Sequence, residues 1–297
     1  MKRTLTMVFL MLIASSVESI LITIAQTPAP PSPPKVLRIA REEVKPYMDI
    51  AHAKVEVGWP KAWAKANRPY YWLAMTTLSG PAEAWFLNGY KSFADIEKDD
   101  KEFEKLPALK AETARLGQLD KEMLRGSRGI MATFREDLSY HAEVNMANMR
   151  YFRVNTIRVR PGLNDEFIEY RKIIKAANEK LQSDSHYAIY QTVSGAPNGT
   201  FLIFTPMKSM AEMDPNPVRD KAFQDALGDE NRKRLSELAS KAIISNEPIH
   251  FAFSPEMSYV SKDFAASDKA YWSPRPKPVA KSPEPAKKPA DKTGAGQ

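Results

Sequence analysis

The residues that could do acid-base or metal chemistry in this 297-residue chain are few. The chain has no cysteine, so a thiolate nucleophile and a disulfide framework are both excluded. Its four histidines are far apart in the sequence: His52, His141, His186 and His250. None belongs to a His-x-His or His-Glu-x-x-His pattern, the spacings that bring two imidazoles to one side of a strand or helix. The sequence therefore predicts no metal site.

Five aromatic residues in the first half of the chain are candidates for a ligand-binding site. They are Trp59, Trp63, Tyr71, Trp85 and Tyr90. Large flat side chains with polar edges can line a pocket for a planar apolar molecule. Alternatively, they pack in a core that has no disulfides to stabilise it. The choice depends on the elements that carry them.

An internal repeat shows what those elements are. When the segment from Tyr151 to Asp214 is moved back by 115 residues, five of its residues fall on identical ones. The pairs are Arg153 on Arg38, Val159 on Val44, Pro161 on Pro46, Ser194 on Ser79, and Gly195 on Gly80. Each copy predicts the order β-α-β-β-α, followed by a further helix and a final strand.

The first helix of each copy makes His52 a candidate catalytic residue. In the second copy, apolar residues recur at spacings of three and four and predict a stripe that faces the core. In the first copy His52 takes the place of Phe167, and Trp59 takes the place of Ile174. On such a face His52 could act as a general base in a cleft between helix and sheet. Alternatively, it is a core histidine hydrogen-bonded to a backbone carbonyl or a carboxylate.

Other sequence signals set the remaining boundaries. Pro60 predicts a kink in this first helix, beside Gly58. Ser92 and Ser209 are placed as N-caps of the second helices. The segments LGQLDKEMLRGSRGI and RKRLSELASKAII are predicted to be helical, and the final strands follow them in MATFREDLSY and HFAFSPEMSY. The tyrosine that ends each of these strands is predicted to hydrogen-bond the next element.

The segment YFRVNTIRVRPGLNDEFIEYRK carries a resemblance to a known superfamily. Its alternating strand, Pro161-Gly162 turn and following helix resemble NIPSNAP-like and antibiotic-biosynthesis-monooxygenase-like domains of the dimeric α+β barrel superfamily. The resemblance covers roughly residues 36–262. It implies an α+β fold in which two ferredoxin-like β-α-β-β-α-β repeats pair their antiparallel sheets into one α+β barrel. The first copy departs from the pattern, with Tyr47 in place of the glycine and His52 in place of the aromatic residue.

The resemblance also bounds the chemistry. The superfamily includes cofactor-free monooxygenases, haem-degrading enzymes, haem peroxidases, isomerases and members without known activity. If the chain is an enzyme, the resemblance implies a cofactor-free monooxygenase-like or haem-degrading oxidoreductase. No cofactor is expected, with haem bound through His52 as the alternative. No catalytic set of the superfamily can be matched residue by residue, and fold alone does not assign function.

The two ends of the chain differ in composition from its middle. The predicted divisions are a signal peptide at 1–25, a proline-rich linker at 26–34, repeats at 35–145 and 150–262, and a disordered Pro/Lys-rich tail at 273–297. The formal charge is +7, of which the tail carries +4 and residues 26–272 carry +2. Nucleic acid is therefore not an expected partner. The tail could contact cell-wall polymers or another anionic surface, or it could be a solubilising segment without a partner.

These observations predict an exported protein, periplasmic or secreted, that is a monomer with pseudo-dimeric repeats. Its predicted function is to bind or convert a small apolar or aromatic molecule in a cleft of the first repeat. One alternative is a non-catalytic structural protein of the envelope or cell wall. Another is a haem-binding or haem-degrading protein.

Overall fold

The computed structural model describes residues 32–273. The predicted signal peptide, the linker up to residue 31 and the tail from residue 274 onward lie outside the described residues. Within the described part of the chain, no helix combines the length and the apolar character needed to cross a membrane.

Eight antiparallel strands form a closed barrel. The strands are β1 (Val36–Val44), β2 (Trp72–Thr77), β3 (Glu83–Tyr90), β4 (Leu124–Phe134), β5 (Tyr151–Val159), β6 (Ala188–Ser194), β7 (Thr200–Met207) and β8 (Ile243–Phe253). Their order around the barrel is β1-β3-β2-β8-β5-β7-β6-β4. The four strands of each repeat are neighbours, and the β2–β8 and β4–β6 pairs join the two sheets. The predicted tandem α+β barrel is therefore confirmed, and closure leaves neither sheet with an unpaired edge.

The helices cover the outside of this barrel and one of its ends. They are α1 (Asp49–Glu56), α2 (Gly58–Lys65), α3 (Phe93–Glu104), α4 (Pro107–Lys121), α5 (Asn164–Leu181), α6 (Pro217–Ala242), α7 (Lys262–Ser267) and α8 (Lys269–Trp272). Short 3-10 turns span Met146–Asn148 and Met210–Met213. The predicted kink in the first helix appears as the separation of α1 from α2 at Val57.

The alternation of side chains along the strands divides the hydrophobic core into layers. Leu37 and Ile39 of β1 belong to a cluster that combines residues of both repeats and fills the barrel interior. Ala40 follows Ile39 and therefore faces the opposite side of the strand, where it packs with Trp59 and Trp63 under the helices of the first repeat. A third layer, which includes Phe167, lies between β5–β7 and α5. Glu42 of β1 has the same parity as Ala40, so it also faces the helices.

Two tyrosines link the repeats to each other. The Tyr140 hydroxyl donates to the carbonyls of Asn178 (3.2 Å) and Ser183 (3.1 Å) in the second repeat. The Tyr259 hydroxyl donates to the carbonyl of Arg68 (2.8 Å) in the first. Each therefore bonds an element of the other repeat, and these bonds give the recurring tyrosines a structural role.

Three boundaries differ from the sequence-based predictions. α4 ends at Lys121 and β4 begins at Leu124, although the segment was predicted to be helical as far as Ile130, because β1 offers it a strand partner over its whole length. Ser209 caps only a 3-10 turn, whereas the long helix begins at Pro217 with Asn216 as its N-cap. The helices α7 and α8 were not predicted, and they bring Trp272 into the core at 5% exposure.

Candidate functional site

A cleft of about 350 Å³ lies between the outer face of the first repeat's sheet and helices α1–α3. Its walls are largely aromatic, its inner end is acidic, and its other end carries two arginines. The lining residues are Arg38, Ala40, Glu42, Glu56, Trp59, Trp63, Arg68, Trp72, Phe86, Asn88, Tyr90, Asp99, Asp100 and Phe103.

The aromatic walls are held by contacts among the rings. Trp63 is the centre of the set, stacked on Phe103 with ring centroids 5.9 Å apart and edge-on to Trp72 at 5.4 Å. Trp59 lies 6.0 Å from Trp63. The Trp72 indole donates to the Met257 carbonyl (2.8 Å), whereas the Trp59 indole nitrogen is buried without a hydrogen-bond partner. Buried indoles usually find a partner, so Trp59 has a donor to spare beside the cleft.

The acidic end is a cluster of four side chains, Glu42, His52, Glu56 and Asp120, whose donor atoms all lie within 4.8 Å of one another. His52 Nε2 lies 2.9 Å from Glu42 Oε2 and 3.5 Å from Asp120 Oδ1. Glu56 Oε1 and Asp120 Oδ1 have no hydrogen-bond partner. Of the four residues, Glu42 and Glu56 line the cleft.

Burial dominates the ionisation of Glu56. Burial, followed by the neighbouring Asp120 and Glu42, raises the pKa of Glu56 to about 10. With these neighbours alone Glu56 is therefore protonated at neutral pH, because ionising it would put a further negative charge into a space that already holds carboxyl groups. In that form it is a carboxylic acid that can donate a hydrogen bond into the cleft.

The other end of the cleft carries basic groups that already have partners. Arg68 forms a buried ion pair with Asp99, which also accepts from the Tyr90 hydroxyl (2.7 Å). Arg38 pairs with Asp100 of α3, with 2.6 Å between nitrogen and oxygen. Burial raises the pKa of the Tyr90 hydroxyl, so it stays a neutral donor.

Close helix packing positions the acidic cluster. α4, which carries Asp120, packs against α1 and α2. A Cβ at Gly58 would lie 2.5 Å from Leu116 Cδ2 of α4, so glycine is what allows this approach. The break at Val57 places Trp59 beside Glu56, and the i,i+4 spacing of His52 and Glu56 puts both on the sheet-facing side of α1.

The second repeat has no such cluster at the equivalent place. By the 115-residue offset, Ile157, Phe167 and Arg171 correspond to Glu42, His52 and Glu56. Counting back from the strand that follows, Ala239 corresponds to Asp120. Ile157 and Phe167 are core residues, at 3% and 0% exposure. Arg171 is also buried, so the second repeat has two apolar core residues, an alanine and an arginine where the first repeat has three acids and a histidine.

The predicted site residues are distributed over three places. Trp59, Trp63 and Tyr90 line the cleft, and His52 lies directly behind it. Tyr71 instead lines a second cavity. Trp85 lies inside the barrel at 0% exposure, where its indole donates to Glu83 (2.8 Å).

Sequence reasoning missed Glu42, Glu56 and Asp120. Two signals could have found the first two: the strand parity of Glu42, and the helical spacing of Glu56 from His52. No sequence signal connects Asp120 with them.

The second cavity, of about 520 Å³, opens at one end of the barrel. Its lining is mostly apolar and comes from both repeats and from the chain segments that cover this end. The residues include Pro34, Leu37, Tyr71, Leu73, Leu87, His141, Met146, Phe152, Ala188, Tyr190, Phe204 and Phe264.

The haem alternative does not fit the surroundings of His52. An axial ligand needs an imidazole nitrogen that is directed into a cavity. His52 is 2% exposed, its Nε2 contacts Glu42, and it lines neither cavity. His52 is therefore not placed to bind haem iron.

Comparison with known proteins supports no assignment beyond fold. No protein-family model and no curated protein matches the sequence. An anthrone oxidase-like protein is a similar solved structure, with 12% identity, a TM-score of 0.49 and coverage of 76% of this chain and 94% of that chain. A monooxygenase-like protein from Fusobacterium nucleatum has 12% identity, a TM-score of 0.46 and coverage of 74% and 93%. A variant of chlorite dismutase from Candidatus Nitrospira defluvii has 11% identity, a TM-score of 0.42 and coverage of 75% and 92%. Each of these likenesses has a TM-score under 0.5, so none carries a role or a superfamily to this chain. The α+β barrel of two repeats rests on the strand order itself, and the likeness to NIPSNAP-like domains stays a prediction.

Proposed function

We propose that the cleft of the first repeat binds a flat apolar or aromatic molecule that carries a polar group. The observation that carries this proposal is the arrangement of ring faces that end on buried polar atoms without partners. Trp59, Trp63 and Phe103 supply flat apolar walls. Glu56 Oε1 and the Trp59 indole nitrogen are unsatisfied beside them, and a hydroxyl or carbonyl of a ligand would satisfy such groups.

Conversion of the ligand would begin with proton transfer. His52 is too buried to meet a ligand directly, but its contact partner Glu42 retains 15% side-chain exposure on the cleft side. Glu42 is thus the group placed to accept a proton from a bound ligand. In the metal-free protein His52 would act through it, because its Nε2–H stabilises the Glu42 carboxylate.

Filling the cleft is the direct test. Ala40 lines the cleft and Ala188 lines the barrel-end cavity, so A40L and A188L each fill one space with the same side chain. Anilinonaphthalene sulfonate is the probe, because its emission rises in apolar cavities and binding beside Trp59, Trp63 and Trp72 quenches tryptophan fluorescence. We expect A40L to lose the quenching and A188L to keep it.

A second candidate site is the barrel-end cavity itself. It is the larger of the two cavities and has few polar groups, so it suits a wholly apolar ligand. If A188L abolishes probe binding and A40L does not, the ligand belongs there and the cleft proposal is wrong. Native mass spectrometry of protein isolated from its own host would then show the mass of any ligand that is retained.

Export is a further proposal that rests on the sequence of residues 1–25, and contact with an anionic wall surface rests on that of the tail. Removing residues 274–297 should abolish pull-down by cell-wall polymer at low salt. Unchanged pull-down would exclude the tail as the contact.

A further inference from the structure

Three elements of the first repeat bring four side chains of metal-binding types together at the inner end of the cleft. β1 supplies Glu42, α1 supplies His52 and Glu56, and α4 supplies Asp120. One imidazole nitrogen and one oxygen from each carboxyl group all lie within 4.8 Å of one another. Up to 78 residues of chain separate these side chains, so only the tertiary structure assembles them.

Two oxygens of the cluster lack a hydrogen bond of normal distance and angle. Glu56 and Asp120 are 3% and 4% exposed, and Glu56 Oε1 and Asp120 Oδ1 accept no hydrogen bond. The Nε2 atom of His52 is in contact with Glu42. Among residues 32–273, no lysine or arginine forms an ion pair with any of the three acids. Buried carboxyl groups without partners are costly, and a cation between them would satisfy both free oxygens at once.

The second repeat shows that the fold does not require acids at these positions. There Ile157 and Phe167 stand in place of Glu42 and His52 and pack in the core, Ala239 stands in place of Asp120, and a buried arginine, Arg171, stands in place of Glu56. The three acids and the histidine occur together in one repeat only, which separates them from the residues that the scaffold needs for packing.

The donor set indicates the class of ion. Carboxylate oxygens with one imidazole nitrogen suit Mn²⁺, Fe²⁺ or Zn²⁺ and not a soft ion such as Cu⁺. With bonds of about 2.1 Å, the ligands of a tetrahedral ion are about 3.4 Å apart and opposite ligands of an octahedral ion are about 4.2 Å apart. The 4.8 Å limit of the cluster therefore requires the side chains to move inward, by more for a tetrahedral ion than for an octahedral one. We propose that Glu42, His52, Glu56 and Asp120 bind a divalent first-row transition-metal ion.

The position of the cluster would leave one side of the ion open. Glu42 and Glu56 line the cleft, whereas His52 and Asp120 lie behind them. An ion held by four ligands on one side can accept a polar ligand atom from the cleft as a further donor, as catalytic metal sites do. Only this last step rests on the proposed function of the cleft. Binding of the ion itself does not.

The test is metal binding by protein stripped with EDTA, measured by isothermal titration calorimetry with no small molecule present. We expect one ion per chain, at a site for which Zn²⁺ and Mn²⁺ compete and Zn²⁺ binds more tightly. E56Q and D120N should each bind the ion at least about tenfold more weakly. The exposed E136Q should bind as the wild type does. No binding heat, equal affinity in E56Q and the wild type, or binding of Mg²⁺ as tight as that of Zn²⁺ would each overturn the proposal.

Two features of the experiment distinguish the loss of a metal ligand from misfolding of the variant and from failure of the cleft proposal. E56Q and D120N each replace a carboxyl group with an amide of nearly the same size, so loss of binding in a variant that unfolds as cooperatively as the wild type reports the ligand and not misfolding. Probe binding to the cleft is measured in EDTA, so it can fail while metal binding succeeds, and the reverse. The two proposals can therefore be rejected independently.

Discussion

Glu56 shows how one side chain departs from what its surroundings would favour. It lies at 3% exposure among Glu42, His52 and Asp120, where the second repeat has an arginine that stacks on Tyr187 (4.9 Å to the ring centroid). Burial and the two neighbouring acids raise its pKa to about 10. A carboxyl group in this position is retained at a cost in stability, which is characteristic of functional sites.

The stability of metal-free protein should therefore fall as the pH rises. The unfolded chain releases the Glu56 proton near pH 4, and the folded protein retains it to about pH 10. Stability from this group is fully present below the unfolded pKa and is lost as the pH approaches 10, by at most about 1.4 kcal/mol per pH unit. Urea unfolding in EDTA at pH 6 and pH 9 should show this fall for the wild type and a smaller one for E56Q. Equal slopes for the two proteins would contradict it, and E136Q provides the control.

His52 should have no role in haem binding. Because its Nε2 is in contact with Glu42 and it lines neither cavity, titration with haemin should give the same absorption spectrum for the wild type and H52A. A Soret band that the wild type shows and H52A lacks would restore the haem alternative.

At the scale of elements, the first repeat differs from the second in two ways: its first helix is broken into α1 and α2, and α4 lies close to the junction between them. α1 and α2 replace the single α5, and Gly58 at the junction lets Leu116 of α4 approach. This packing brings Asp120 to His52 and Glu56. The cleft beside it exists because aromatic side chains hold α2 and α3 apart from the sheet.

Replacing Gly58 should disturb both the packing and the cluster. G58A places a Cβ 2.5 Å from Leu116 Cδ2, and overpacking of this kind costs about 1–3 kcal/mol. Gly117 of α4 has open space around it, so G117A should be neutral or stabilising by up to about 1 kcal/mol. Chemical denaturation compares the two variants. If G58A is as stable as G117A, the proposed close approach of α4 is wrong.

At the scale of the whole molecule, the barrel is one unit because each repeat completes the other. β2 pairs with β8 and β4 with β6. Tyr140 and Tyr259 each donate a hydrogen bond to a carbonyl of the opposite repeat. This arrangement predicts a single cooperative unfolding transition even though the sequence contains two copies.

Tyr140 and Tyr259 should contribute to that cooperativity by similar amounts. Y140F and Y259F each remove one donor from carbonyls across the repeat junction, at a cost of about 1 kcal/mol. Both variants should unfold in one transition when followed by tryptophan fluorescence and by far-ultraviolet circular dichroism. Transitions that separate between the two probes would show that the repeats fold independently.

The sequence by itself determined the tandem architecture, the strand and helix order, and the aromatic character of the first-repeat cleft. These follow from local periodicity and from the alignment of the two copies, which places equivalent positions side by side. Tertiary structure decided what local pattern does not contain: Trp85 points into the barrel, Tyr71 lines another cavity, and α4 gives way to strand at Leu124 because β1 is there to pair with it. It also decided the acidic cluster, because Asp120 lies 64 residues from Glu56 along the chain and reaches it only through the packing of α4 at Gly58. His52 thus changes from a lone histidine on an apolar face to one member of a group of four.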